Sequence, residues 1–106
     1  MPAATPLVWA LILIRILALT GTAEEMLFRG ALYGWLRSRF PVPATIALTT
    51  GLFALEHSYY PILLPPVVIY GVALGWLRHR SHTIATTIVM HVTVDFAAFL
   101  AAVVLA

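Results

Sequence analysis

Apolar residues fill the chain in long runs, and prolines and short polar turns separate these runs. The pattern predicts helices over residues 7–19, 23 to about 38, 44 to 57 or 60, about 65 to 78, and 83–105. The last run is long enough to cross a hydrocarbon core of about 30 Å. The first two form either one long bent helix or two helices, since together they exceed one straight crossing. We therefore predict an all-α, polytopic transmembrane bundle of about four to five helices, as a single domain over residues 1–106.

Composition supports the membrane assignment. The chain is 62% hydrophobic and 9% charged, whereas a soluble domain carries about 25% charged residues. Cysteine is absent, which excludes disulfides and thiol chemistry, and all six basic residues are arginine. No basic stripe forms, so we expect the lipid bilayer and not a nucleic acid as partner. The N-terminal apolar run resembles a signal peptide, but no basic residue precedes it and Arg15 interrupts it, so we expect it to be retained.

The arginines predict a topology. Arg37 and Arg39 lie in the turn after the second run, and Arg78 and Arg80 lie before the last run. Two crossings separate these turns, so we expect both on one membrane face. By the positive-inside rule that face is cytoplasmic.

Two glycine pairs lie one helical turn apart, Gly30 with Gly34 and Gly71 with Gly75. Small residues at this spacing let membrane helices approach closely. We therefore expect both pairs to be helix-packing surfaces.

Every acidic residue lies in one of these apolar segments. An ionisable group at bilayer depth costs about 2.5–3.5 kcal/mol to insert, so such groups should face one another or a pocket. Glu24 and Glu25 lie 12–13 residues before Arg37, about 18–20 Å along a helix. His57 and Asp95 lie 13 and 12 residues after the starts of their own helices. The polar groups therefore reach a similar depth, which predicts one shared site.

Spacing along the helices predicts the local pairs. Glu25 and Arg29 are four residues apart and can form an ion pair. Glu24 points about 100° away, which leaves its carboxylate free for proton chemistry. His91 and Asp95 also share a face, so the carboxylate can orient the imidazole. Structural alternatives stay open, because the ion pair could simply pack and an isolated histidine in a helix is usually a satisfied core residue.

Three patterns occur in order along the chain. They are Glu24-Glu25-Met26-Leu27-Phe28-Arg29-Gly30, then Phe53-Ala54-Leu55-Glu56-His57, then His91-Val92-Thr93-Val94-Asp95. This ordered set resembles the CPBP family, the type II CAAX-prenyl endopeptidases and their relatives in bacteriocin processing and immunity. That family has Glu-Glu-x-x-x-Arg, Phe-x-x-x-His and His-x-x-x-Asn or Asp on successive membrane helices. The resemblance covers residues 23–96, and the chain could be a minimal core of a larger architecture.

The resemblance implies roles for six residues. Glu24 would be the general base that activates a water, and His57 would help to hold that water. Glu25 and Arg29 would support the site. His91 and Asp95 would stabilise the oxyanion or bind the water or a metal. Asp95 departs from the commoner asparagine, because an ionised carboxylate cannot donate to an oxyanion. Glu56 is an additional carboxylate, which could pair with Arg15 or reach the far interface.

We therefore expect an intramembrane endopeptidase that cleaves a membrane-tethered peptide or protein, with a prenylated one among the candidate substrates. The alternatives are a non-proteolytic bacteriocin-immunity or binding protein of the same fold, and a proton or ion pathway. No cofactor is favoured. Zinc is possible, with His57 and His91 as its ligands and Glu25 or Asp95 as the third. We expect a multi-pass protein of a prokaryotic plasma membrane.

Overall fold

The computed structural model describes residues 4–105, apart from the side chains at positions 17 and 18. This part of the chain forms four helices and no strand: α1, Pro6–Arg37; α2, Val42–Glu56; α3, Leu64–Ser81; and α4, Ile84–Leu105. A short 3₁₀ turn, Pro61–Leu63, precedes α3. The prediction of an all-α bundle is confirmed.

Helix α1 is one continuous helix. It begins where Thr5 caps the backbone N–H of Val8 and proline occupies the first helical position. Of the two arrangements that the sequence left open, the single helix is the one observed, because Gly21 keeps helical dihedral angles, φ −63° and ψ −48°. Two π-helical segments, Arg15–Gly21 and Met26–Leu32, flank the short α-helical stretch Thr22–Glu25. Such wider turns are frequent at functional sites.

Glycines set the closest helix contacts, but only one of the two predicted pairs does so. A Cβ on Gly71 would lie 3.0 Å from Thr50, and one on Gly75 would lie 3.0 Å from Ile46, so α2 and α3 pack through these positions. A Cβ added to Gly34 would meet no atom within 4 Å. The prediction that Gly30 and Gly34 form a helix-packing surface is therefore wrong at Gly34. Gly21 instead allows the close approach of α4, with Val92 at 3.0 Å.

The bundle encloses polar side chains together with apolar ones, and large apolar side chains cover much of its exterior. Among the described residues, three helices are long and apolar enough to cross a membrane: Pro6–Arg37, Pro61–Ser81 and Ile84–Leu105. Helix α2 is a shorter apolar helix. Large apolar side chains such as Ile69 and Val104 point outwards, while Glu25, Arg29 and His91 are buried. This distribution suits lipid around the bundle, because polar groups are costly to place in hydrocarbon.

Both arginine-bearing turns lie at one end of the bundle. Arg37 and Arg78 line the same cavity there, as expected if α2 leads away from that end and α3 returns to it. Helix α3 continues to Ser81, so the predicted turn at residues 79–82 is shorter than expected. The helix ends where His82 adopts a left-handed conformation (φ 57°) and its N–H donates to the carbonyl of Arg78.

Single-cysteine labelling tests this topology. Because the chain has no cysteine, Ser38→Cys and Ser81→Cys can each be labelled from one side at a time. We expect both to react from the cytoplasmic side. Ser58→Cys, beyond the opposite end of α2, is the matched control and should react from the other side. Labelling of positions 38 and 81 from different sides would contradict the helix arrangement.

Candidate active site

The centre of the bundle is a buried ion pair on α1. Glu25 and Arg29 are both 0% exposed, and Arg29 Nη1 donates to Glu25 Oε2 at 3.0 Å. Arg29 Nη2 donates to the carbonyl of Gly71 on α3 at 3.2 Å. Its guanidinium lies 4.5 Å from the centroid of the Phe53 ring on α2. The predicted pair is therefore present, and it also holds three helices together.

His91 joins the fourth helix to this pair. Its Nδ1 lies 2.6 Å from Glu25 Oε2. Since that oxygen already accepts from Arg29, we assign the imidazole as the donor. The opposite nitrogen, Nε2, lies 3.4 Å from Asp95 Oδ2. His91 thus stands between two carboxylates and, when protonated, can donate from both nitrogens.

Glu24 lies beside the pair with one oxygen unpartnered. Its Oε2 is buried and makes no hydrogen bond in the described structure. This oxygen lies 3.9 Å from both His57 Nε2 and His91 Nε2. Two polar atoms at such a separation can share one bridging water. The side chain keeps 16% of its surface exposed, so Glu24 is the more accessible member of the carboxylate pair.

His57 lies where α2 ends. Its Nδ1 donates to the carbonyl of Phe53 at 2.7 Å, because a carbonyl oxygen can only accept. In the neutral ring, Nε2 is then an acceptor directed towards Glu24. Phe53 also packs against both rings, at centroid distances of 4.5 Å from His57 and 6.1 Å from His91. The phenylalanine of the second pattern therefore positions both histidines.

All six predicted site residues, from three helices, lie in one cluster. Asp95 packs against α1, where its Oδ2 lies 3.4 Å from the position that a Cβ on Gly21 would occupy. Glu56 and Arg15 are both exposed, and no ion pair joins them in the described structure. The suggested Glu56–Arg15 pair is therefore wrong.

A cavity of about 410 Å³ opens beside the cluster. Its polar wall carries His57, His91, Asp95 and Tyr70, and its remaining wall is apolar, with Leu63, Pro66 and Val94 among its residues. The cavity can therefore place an apolar segment against polar groups that could act on it.

Tyr70 is a cavity residue that the sequence patterns missed. Its hydroxyl is buried with no hydrogen-bond partner among the described residues. Its ring stands edge-on to His91 at a centroid distance of 5.6 Å. The sequence feature that could have identified Tyr70 is its position next to Gly71, which faces inwards. An unpaired buried hydroxyl beside such a cluster is unusual enough to indicate a role.

The arrangement does not fit the zinc site considered above. Among the described residues, no three histidine or carboxylate side chains are placed to hold one metal ion. Glu25, one candidate third ligand, is instead bound by Arg29 and His91 through the same oxygen.

Comparison with known proteins adds one finding. The family model described as Rce1-like, type II CAAX prenyl endopeptidase, matches residues 6–97. This range includes all six residues of the cluster. No curated protein and no solved structure matches the chain.

Proposed function

The chain belongs to the Rce1-like family of type II CAAX prenyl endopeptidases, and from this premise we propose that it hydrolyses a peptide bond with a water activated by Glu24. Membership makes the protein an integral membrane protein of a peptidase family. The catalytic residues, the substrate and a prokaryotic plasma membrane are parts of the proposal.

The unpartnered oxygen of Glu24 carries the proposal. A general base needs a free acceptor within hydrogen-bond reach of the water it activates. Glu24 Oε2 has no other partner and faces both His57 Nε2 and His91 Nε2 at 3.9 Å. Glu25 also has one unpartnered oxygen, Oε1, but its side chain is fully buried and its Oε2 is held by Arg29 and His91. Glu24 is partly exposed and is therefore the better placed base. Because the six site residues lie in one compact cluster, hydrolysis is also favoured over a continuous ion pathway.

The reaction follows from these positions. Glu24 takes a proton from the water while His57 Nε2 accepts its second hydrogen bond, and the water oxygen attacks the peptide carbonyl carbon. The resulting oxyanion is stabilised by donors aimed at it. The carbon–nitrogen bond then breaks, and the proton held by Glu24 passes to the leaving nitrogen. A carboxylic acid and an amine are the products.

Two groups can stabilise the oxyanion. Protonated His91 can donate from Nε2 to the oxyanion, because Glu25 already orients the ring through Nδ1. Asp95, 3.4 Å from Nε2, supplies negative charge beside the imidazolium. Asp95 then has no need to donate, which accounts for an aspartate in place of asparagine. The unpaired hydroxyl of Tyr70, on the wall of the same cavity, supplies a second donor.

Tyr70→Phe tests the second donor. Loss of one oxyanion donor costs about 10²–10³-fold in kcat, and we expect a loss of that order with little change in KM. Stability should be unchanged or higher, because the variant removes a buried unpaired hydroxyl. Tyr60→Phe, which alters an exposed tyrosine, is the matched control. Normal turnover by Tyr70→Phe would remove the hydroxyl from the mechanism.

The apolar wall of the cavity favours a lipid-linked or strongly apolar substrate. We propose that a membrane-tethered peptide or protein, prenylated in the preferred case, places its scissile bond at the cluster. The test incubates purified protein in detergent with paired peptides, farnesylated and unmodified, and identifies new termini by mass spectrometry. Cleavage of the farnesylated member is expected. Failure to cleave any membrane-anchored peptide in a broad panel would favour a binding protein of the same fold.

We also propose that the hydrolysis needs no metal. We expect full activity after chelation and dialysis, with substoichiometric zinc by elemental analysis. The physical reason is that Arg29 and a protonated His91 supply positive charge at the cluster without a cation. Stoichiometric zinc, with activity lost on its removal and restored on its return, would defeat this proposal and make His57 and His91 ligands.

A further inference from the structure

A second cavity lies at the arginine-bearing end of the bundle, away from Glu24. It has a volume of about 430 Å³, and Arg37, Arg78, His79 and His82 contribute to its walls. None of the chain's four acidic residues, all of which the structure describes, lines it. Positive side chains therefore converge on a concave surface with no negative side chain to balance them.

The two arginines are anchored but keep donors for a ligand. Arg78 Nε donates to the carbonyl of Arg29 at 3.0 Å, and its guanidinium lies 5.1 Å from the Tyr33 ring centroid. Arg37 Nη1 donates to the carbonyl of Phe40 at 3.0 Å. In the described structure, the terminal amino groups of Arg78 bind no protein acceptor. Guanidinium groups held in this way suit an oxyanion such as phosphate.

A glycine leaves the cavity open. Gly34 lies on its wall, and a Cβ at this position would meet nothing within 4 Å. The wall is therefore bare backbone between the basic side chains. A larger residue here would fill the cavity without disturbing the packing of the helices.

The surroundings place this cavity at the level of lipid headgroups. Trp35 and Trp76 lie near the same ends of α1 and α3, and each indole is 55% exposed. Arg39 and Arg80 lie over these rings, at 4.2 and 5.6 Å from the centroids. Exposed tryptophans beside arginines are typical of the membrane interface. Basic pockets between membrane helices at that level bind anionic headgroups.

We propose that this cavity binds the phosphate group of an anionic phospholipid. Phosphate could also come from a soluble compound, but the position at the interface favours the lipid. The site is separate from the Glu24 cluster, and the proposal does not depend on the proposed hydrolysis. Bound lipid would tie the ends of α1 and α3 together.

Native mass spectrometry of the full chain in a non-ionic detergent tests the proposal. Phosphatidylglycerol should bind with a stoichiometry of one per chain and more tightly than phosphatidylcholine. Inorganic phosphate, added alone in a parallel titration, should bind far more weakly than the lipid. Equal binding of both lipids would overturn the proposal. Inorganic phosphate binding as tightly as the lipid would overturn the lipid assignment.

Matched variants separate a cavity from general surface charge. Arg37→Gln should weaken phosphatidylglycerol binding about tenfold or more, the effect of losing a hydrogen bond to a charged group. Arg39→Gln removes the same charge from the same end but outside the cavity, and should have little effect. Gly34→Leu should abolish binding while all arginines remain, whereas Gly51→Leu, another open glycine position, should not. Equal effects of the two arginine variants, or normal binding by Gly34→Leu, would overturn the proposal.

Discussion

Replacement of Glu24 by glutamine is expected to reduce hydrolysis by about 10²–10⁴-fold, the usual contribution of a general base. Glutamine keeps the shape of the side chain but cannot take a proton from water. The fold should remain intact, because Glu24 Oε2 has no hydrogen-bond partner in the described structure. The measurement is the initial rate of peptide cleavage in detergent, together with the thermal unfolding midpoint.

Glu56→Gln is the matched control for this variant. Glu56 is an exposed carboxylate next to His57 in sequence, outside the cluster. Its negative charge acts on Glu24, so its amide variant should alter activity, but by far less than Glu24→Gln does. Near-normal turnover by Glu24→Gln would remove Glu24 from the mechanism, and loss of folding in this variant would show that the carboxylate is structural.

Replacement of Arg29 by alanine is expected to destabilise the protein as well as inactivate it. Removing one member of a buried ion pair costs about 3–5 kcal/mol, because the other charge is left uncompensated. Here the variant strands Glu25 and also removes the hydrogen bond to the Gly71 carbonyl. Denaturant or thermal unfolding in detergent should therefore show a large decrease in stability.

Two variants sharpen the Arg29 experiment. Arg39→Ala removes an exposed arginine that makes only surface contacts, and it should change stability little. Arg29→Lys keeps the charge but not the planar fork that reaches both Glu25 and Gly71, so an intermediate loss is expected. A stable, folded Arg29→Ala protein would contradict the central structural role given to the ion pair.

The different results expected for the Glu24 and Arg29 variants follow from the partners of these side chains. Glu24 and Glu25 are adjacent in sequence, yet only Glu25 is held by Arg29 and His91. The structure thus separates a fully buried carboxylate held by two partners from a partly exposed one that no described side chain contacts within 3.5 Å through Oε2. Activity loss without instability is expected at Glu24, and loss of both is expected at Arg29.

Much of the architecture was already determined by the sequence. Apolar runs and prolines placed the helices, because a polar backbone in lipid must form its hydrogen bonds within each helix. The spacing of Glu25 and Arg29 predicted their ion pair, since residues four apart share a helix face. The depth of Glu24, His57 and Asp95 predicted a common site, because the rise per residue is fixed.

Tertiary structure decided what local spacing could not. The sequence left open whether α1 was one helix or two, and in the structure it continues through Gly21 as one helix that contains two π-helical segments. The 2.6 Å contact between Glu25 and His91 joins residues 66 positions apart. Tyr70 and Gly21 gained their roles only from neighbours on other helices. The helical repeat fixes how deep a side chain lies, but the rotation of each helix about its axis depends on how all four pack, and that rotation determines which groups meet.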